Sequence, residues 1–207
     1  MPRTDRNRRM LDLKAFDAQY AADGLIVAGM DEAGRGPLVG PVVAACAVMK
    51  PDSALLWVDD SKKLSEKRRE LLYDEIRADA LQWAVGMASA EEIDRLNILN
   101  ATKLAMRRAA EQISADIWLI DAVKGLGLPG REVPIIKGDA SSYAIAAASI
   151  LAKVTRDRLL RDLDERYPGY GFLRNKGYGT AEHIVALREL GPCPEHRRSF
   201  IGHFVKA

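Results

Sequence analysis

The stretch Leu25-Ile26-Val27-Ala28-Gly29-Met30-Asp31-Glu32-Ala33-Gly34-Arg35-Gly36-Pro37-Leu38 decides the fold. Its apolar start reads as a short buried strand, expected over 25–31. Two adjacent carboxylates, Asp31 and Glu32, sit where that strand runs out, and the turn Gly34-Arg35-Gly36 follows at once. Acids at a strand end, beside flexible backbone and one fixed cation, suit a site that holds metal and meets phosphate. The plainer alternative is an acidic surface turn, since Asp and Gly are ordinary turn residues. In a regular strand Asp31 and Glu32 point to opposite faces, so both serve one site only if the strand ends or twists there.

Working outward, further strands are predicted over 41–48, 82–88, 117–121 and 133–136, the last demoted to a sheet edge by Pro134. Helices are predicted over 65–79 (N-cap Ser65; apolar Leu71, Leu72 and Ile76), from the capping box Ser89-Ala90-Glu91-Glu92, and over 98–114, 141–165 and 180–190. Three strands close together, then helix and strand in alternation, make an α/β chain with a mixed sheet flanked by helices. Residues 1–10 read as a disordered basic tail and 13–21 as a short helix. The division expected is 1–21 as tail and helix, 22–167 as the main domain and 168–207 as a C-terminal helical segment.

Two more acids repeat the placement of Asp31. Asp121 ends the strand Ile117-Trp118-Leu119-Ile120, and Asp139 precedes a helix whose N-terminus favours an anion. Asp31, Glu32, Asp121 and Asp139 thus lie at element ends, where α/β folds place sites. Singly, Asp121 and Asp139 read equally well as a helix cap or a turn acid. Together the four suit hard divalent cations, and two ions roughly 4 Å apart can activate water and stabilise the leaving oxygen of a phosphodiester.

At 207 residues and a formal net charge of +2, the chain fits one domain of globular composition, and the net charge names no partner. The cations are clustered instead, around Lys62, Lys63, Lys67, Arg68 and Arg69, around Arg156, Arg158 and Arg161, and at Arg197 and Arg198. With the acids gathered elsewhere, such a face suits a polyanion; singly, each cluster reads as a solvated helix face. Two cysteines, Cys46 and Cys193, make no disulfide framework, which implies a reduced, cytoplasmic setting. Neither a secretory signal nor a membrane-length apolar run is present. Gly125-Leu126-Gly127-Leu128-Pro129-Gly130 matches a dinucleotide fingerprint but leads into a strand, so no helix receives a pyrophosphate. Cys193-Pro194-Glu195-His196 is half a zinc site with no partner pair at suitable spacing.

The opening stretch resembles the signature of the type 2 ribonucleases H, ribonuclease HII of bacteria. Further resemblances follow in family order: Asp60-Ser61-Lys62-Lys63-Leu64, Ile120-Asp121, Lys137-Gly138-Asp139, Ser149-Ile150-Leu151-Ala152-Lys153-Val154-Thr155-Arg156-Asp157 and Asn175-Lys176-Gly177-Tyr178-Gly179-Thr180. They span roughly 25–205. The resemblance implies a ribonuclease H-like fold, with a five-stranded mixed sheet flanked by helices and a C-terminal helical segment. It implies catalytic and metal-binding roles for Asp31, Glu32, Asp121 and Asp139, with two Mg²⁺ or Mn²⁺ ions. The substrates implied are RNA–DNA hybrids and duplex DNA holding a single ribonucleotide, incised on its 5′ side to leave 3′-hydroxyl and 5′-phosphate ends. Gly34, Arg35 and Gly36 carry over as readers of the ribose 2′-OH, and Tyr178 as the ring that packs on the sugar at the junction. Glycines let backbone come close to the sugar, and the 2′-OH alone separates RNA from DNA there. Lys62, Lys63, Lys153 and Arg156 become candidate phosphate contacts. A monomer with no membrane partner is expected, and the short N-terminal tail argues against the type 3 enzymes.

Two rival readings remain on the sequence. A DNA-cutting nuclease of the same fold, such as a resolvase or transposase core, separates from the first reading by its action on an all-DNA duplex. A hybrid-binding module without activity gains nothing from four uncompensated acids that repel phosphate. A HAD-type phosphatase is disfavoured because Asp31-Glu32-Ala33 lacks the second Asp two residues on.

Overall fold

β2 (Val42–Val48) is buried at all seven positions, as its unbroken apolar run requires of a strand covered on both faces. It pairs antiparallel with β1 (Val27–Ala33) on one side and with β3 (Gln82–Ala88) on the other. β4 (Ile117–Asp121) runs parallel to β1, and β5 (Arg131–Ile135) parallel to β4, giving the order β3-β2-β1-β4-β5. Pro134 sits in β5 at the sheet edge, where its missing N–H costs no ladder bond. The computed structural model describes residues 3–205.

β1 starts and ends two residues later than its apolar run predicts. Asp31, Glu32 and Ala33 pair with Ala45, Ala44 and Val43, so the β2 partner carries the strand through both carboxylates. β4 ends at Asp121 and the chain turns away at Ala122, where φ is +51°. The end of β1 therefore projects past its β4 neighbour.

The sheet buries one face against α3 (Ala90–Leu96) and α4 (Ile98–Ala110), where Ala28, Met30, Ala44 and Cys46 meet Ile93, Ala105 and Met106. The other face packs on α5 (Tyr143–Arg166) and α2 (Glu66–Asp79) through Val43, Ala45, Ala147, Ile150, Leu72 and Ile76. A Cβ on Gly29 would fall inside the Ala144–Ile145 backbone, so glycine there lets α5 lie directly on β1. The caps read in the sequence form: Ser65 accepts from the Arg68 amide, and Ser89 and Glu92 exchange bonds as a capping box. Leu71, expected on the apolar side of α2, is half exposed, and Leu72 takes the core place.

Residues 3–10 are not a disordered tail. They belong to α1 (Arg3–Ala18), of which Met10 and Leu13 are buried against α5 and α2. Arg9 pairs with Asp59 at 2.9 Å, and the Arg6 guanidinium lies 3.3 Å from the centre of the Trp57 ring. Asp17 accepts the Ala144 amide at 2.8 Å at the start of α5. The charge density that reads as a tail is the polar side of a docked helix. Met1 and Pro2 of the expected tail, and Lys206 and Ala207 of the C-terminal segment, lie outside the described residues.

After Pro168 the chain forms α6 (Phe172–Asn175), α7 (Ala181–Leu190) and α8 (Arg198–Ile201). Tyr170, Phe172, Ala186 and Cys193 pack on Leu160 and Leu163 of α5 and on Val39, just past the glycine-arginine-glycine turn. This contact brings the C-terminal segment to the site.

Candidate active site

Parallel pairing of Met30 with Ile120 puts the next residues, Asp31 within β1 and Asp121 at the end of β4, side by side. Asp121 accepts the Gly138 amide at 2.7 Å, which draws the 3-10 turn Gly138–Ala140 and its Asp139 toward the strand ends. The sharp entry to that turn uses Lys137 in the left-handed region, at φ +55°. Asp31 faces α5, where Ser149 lies beside it, and Glu32 leaves the other face of β1. The strand does not end before Glu32, as a shared site was expected to need. The Asp121 carboxylate still raises the pKa of both acids, because no strand lies between it and them past the end of β4.

Asp31 is 5 % exposed and Asp139 6 %. Burial lifts the Asp31 pKa well above the usual carboxylate range, and Glu32 and then Asp121 lift it further. Burial likewise raises Glu32, with Arg35 opposing and Asp121 adding to it. Asp139 is raised by burial, then by Asp60 and Asp121. One Glu32 oxygen, Oε2, is buried with no hydrogen-bond partner. Arg35 lies 3.4 Å from the other, and Lys62 reaches within 3.6 Å of Asp139. Burial works against the Lys62 ammonium, but Asp139, Asp60, Asp31 and Asp121 outweigh it and raise its pKa.

Such a cluster is short of positive charge. Its donors are all hard oxygens, one is orphaned, and the fit to divalent cations is good in chemistry. In spacing the set is open: among the described residues no group of three or more His, Cys, Asp or Glu side chains forms a ready-made metal site. A cavity of about 690 Å³ lies away from the acids, lined by Leu187, Arg188, Pro192 and Phe204.

The glycine-arginine-glycine turn stands next to the acids and is held from behind. Gly34 takes φ +95°. Arg197, fully buried, donates to the carbonyls of Gly34, Arg35 and Gly40 at 2.6, 3.0 and 2.9 Å. The far side of the turn bonds the C-terminal loop, the Leu38 amide donating to the Gly177 carbonyl at 2.8 Å. A Cβ on Gly36 would lie 3.4 Å from the Tyr178 ring, and that ring is 50 % exposed. Gly34, Arg35, Gly36 and Tyr178 thus form one surface beside the acids.

A family profile described as Ribonuclease HII matches residues 28–203. The chain belongs to the ribonuclease HII family. It is 46 % identical over 202 residues to ribonuclease HII of Caldanaerobacter subterraneus subsp. tengcongensis, covering 96 % of this chain and 84 % of that one. It is 55 % identical over 183 residues to ribonuclease HII of Burkholderia mallei, covering 87 % and 86 %. Among solved structures, ribonuclease H2 of Pyrococcus horikoshii superposes with a TM-score of 0.71 at 27 % identity, covering 84 % and 92 %. The fold is ribonuclease H-like, and the chain is a hydrolytic endoribonuclease of a divalent-metal-dependent family.

Within this family member the four expected phosphate contacts divide. Lys62 and Lys63 are exposed, at 80 % and 58 % of their side chains. Asp60 holds the 3-10 turn that bears them by accepting the Lys62 amide, and Ser61 ties that turn to Ser149 at 2.8 Å. Lys153 instead spends its ammonium on Asp157 at 2.7 Å. Arg156 is 1 % exposed and donates to the carbonyls of Val39, Pro41 and Lys176, so it cannot reach a phosphate. Arg156 and Arg197 are the residues that sequence reading missed as scaffolding: Arg197 binds carbonyls of Gly34, Arg35 and Gly40, and Arg156 binds those of Val39, Pro41 and Lys176. Nothing in sequence separates such an arginine from a surface one.

Proposed function

We propose that the chain hydrolyses the RNA strand of RNA–DNA hybrids and incises duplex DNA on the 5′ side of a single embedded ribonucleotide. The observation that carries the reading is the Tyr178 ring lying against Gly36 beside four gathered carboxylates. Asp31, Glu32, Asp121 and Asp139 would hold two ions, Mg²⁺ or Mn²⁺. Bound there, such ions would supply Lewis acidity at the scissile phosphate and lower the pKa of an attacking water.

The chain's own groups select the bond. Gly34 and Gly36 let backbone come within hydrogen-bond reach of a ribose 2′-OH. The Tyr178 ring packs on the next sugar and tolerates a deoxyribose, because a hydroxyl there would be desolvated without a partner. Lys62 and Lys63 stand where phosphates pass. Water adds its oxygen to phosphorus, the bond to the 3′-oxygen breaks, and 3′-hydroxyl and 5′-phosphate ends result. We place the enzyme in the cytoplasm as a monomer; both cysteines are free and buried, and no described helix is long and apolar enough to cross a membrane.

The test uses a DNA duplex with one ribonucleotide, an all-DNA duplex and a long hybrid, each with divalent metal and with chelator. Cleavage is expected on the first and third only, and only with metal. Equal cutting of the all-DNA duplex would transfer the reading to a DNA nuclease of the same fold.

A further inference from the structure

Behind Tyr178 lies a buried polar group that the reaction does not use. His183, in the first turn of α7, and His196, after Cys193, are both essentially inaccessible. Their rings meet Nε2 to Nε2 at 3.1 Å, so one nitrogen donates and the other accepts. The Cys193 backbone N–H donates to His196 Nδ1 at 3.0 Å. A backbone amide is only a donor, so that Nδ1 carries no proton and neutral His196 is protonated on Nε2. His196 Nε2–H then donates to His183 Nε2, which leaves the His183 proton on Nδ1. That N–H points at the Tyr178 carbonyl, 2.8 Å away. Every direction in the chain follows from one amide.

The chain also ties the two halves of the recognition surface together. His196 pairs as an antiparallel bridge with Val39, the Gly40 amide donates to the Glu195 carbonyl and the Arg197 amide to the Leu38 carbonyl. The stretch that follows Gly36 is thus bonded to the segment bearing His196, whose side chain leads through His183 to Tyr178. We propose that His183 and His196 are positioning residues, whose one-way hydrogen-bond chain from the Cys193 amide to the Tyr178 carbonyl fixes the Tyr178 ring in register with Gly36. This rests on the reading of Tyr178 as the sugar-packing ring.

Both rings stay neutral for a physical reason. They are enclosed by Tyr170 and Phe172, with the Cys193 thiol 3.1 Å from His196 Nδ1. Burial, then His183, hold His196 down to about 4. Burial lowers His183 as well, against its bond to Tyr178. Burial keeps Cys193 a thiol, against hydrogen bonds from the Glu195 and His196 backbone. A proton on His196 Nδ1 would face the Cys193 N–H and break the chain at its origin.

The experiment has two arms. With only three histidines in the sequence, ¹⁵N spectra of the imidazoles assign readily. At pH 6 His183 is expected as the Nδ1–H tautomer and His196 as the Nε2–H tautomer, both neutral; the opposite tautomers, or a charged His196, would overturn the proposal. The second arm measures kcat/KM on the single-ribonucleotide duplex relative to a long hybrid for Tyr178→Ala, His183→Leu, His183→Asn and the double variant Tyr178→Ala/His183→Leu. His183→Leu should lower that ratio by about tenfold, the worth of one buried hydrogen bond. His183→Asn, whose amide can donate from near the Nδ1 position, should recover most of it. The double variant should show no larger change in ratio than Tyr178→Ala alone, because both act through one ring. A ratio that moves in Tyr178→Ala but not in His183→Leu, or losses that add in the double variant, would overturn this inference alone. A ratio unmoved in Tyr178→Ala would overturn the reading of Tyr178 and this inference with it.

Discussion

Asp31 occupies a place that costs the fold stability. Its carboxylate is buried beside Glu32 and Asp121, and all of its proximity to charge is of like sign except Lys62. The folded pKa lies well above that of an ordinary aspartate, so between the two the native chain holds a proton that the unfolded chain has lost. Stability therefore falls as pH rises through that window, and the cost is complete once the pH passes the folded pKa. Asp31→Asn should raise the melting temperature of metal-free protein at pH 7, and the gain should vanish well below pH 4. Turnover should drop by several orders of magnitude in Asp31→Asn and in Asp121→Asn, because the ions lose the acids at the adjoining strand ends. Near-normal turnover in saturating Mg²⁺, or a melting temperature that falls, would remove these residues from the centre. Acids of this kind are legible in a sequence because the chemistry dictates the residue type and the strand end dictates the place. Arg156 and Arg197 are not, because a carbonyl-binding arginine is identified only by what surrounds it.

At the scale of elements, β2, β3 and β4 and the caps of α2, α3 and α7 stand within a residue of where periodicity and capping chemistry put them. β1 does not, because its last residues are strand only by virtue of pairing with Val43, Ala44 and Ala45. α1 was hidden for a related reason. Only a thin line of side chains, Met10, Leu13 and Phe16, faces the body, and its helix is stabilised by docking and not by composition. Its docking also reaches the site: Arg9 donates to the Ala140 carbonyl at 2.7 Å, one residue from Asp139. Deleting residues 1–10 removes a buried Met, an ion pair and the Arg6 contact on Trp57. The expected loss is about 2–3 kcal/mol, most of it from the Met. The truncated enzyme should also need more divalent metal for half-maximal activity, since the turn bearing Asp139 loses a brace. Urea melts and a metal titration check both, and unchanged values in the two measurements would make α1 an ornament.

Over the whole molecule, a net charge of +2 conceals a division of labour. Acids gather at the strand ends, and cations are either spent inside or displayed on the rim of the site. Counting basic clusters in sequence cannot tell these apart, because it weighs Arg156 and Lys62 alike. Exposure and partners decide: Lys62 and Lys63 keep their ammonium groups in solvent, Lys153 is bound to Asp157, and Arg156 is enclosed by carbonyls. Binding to a polyanion releases one condensed counterion for each phosphate a cation neutralises, so only the displayed cations contribute to the salt slope. In an Asp121→Asn background with chelator present, where no strand is cut, hybrid affinity is measured across a range of NaCl concentrations. Lys62→Gln and Lys63→Gln should each reduce the slope of log K against log salt by about one. Lys153→Gln should leave the slope where it was, and Arg156→Gln should lower the melting temperature, since it opens three carbonyl bonds between the glycine-arginine-glycine loop, α5 and the Tyr178 loop. A slope reduced by Lys153→Gln, or unmoved by both rim lysines, would mean that the substrate crosses a different face of α5 from the one the acids and Tyr178 define.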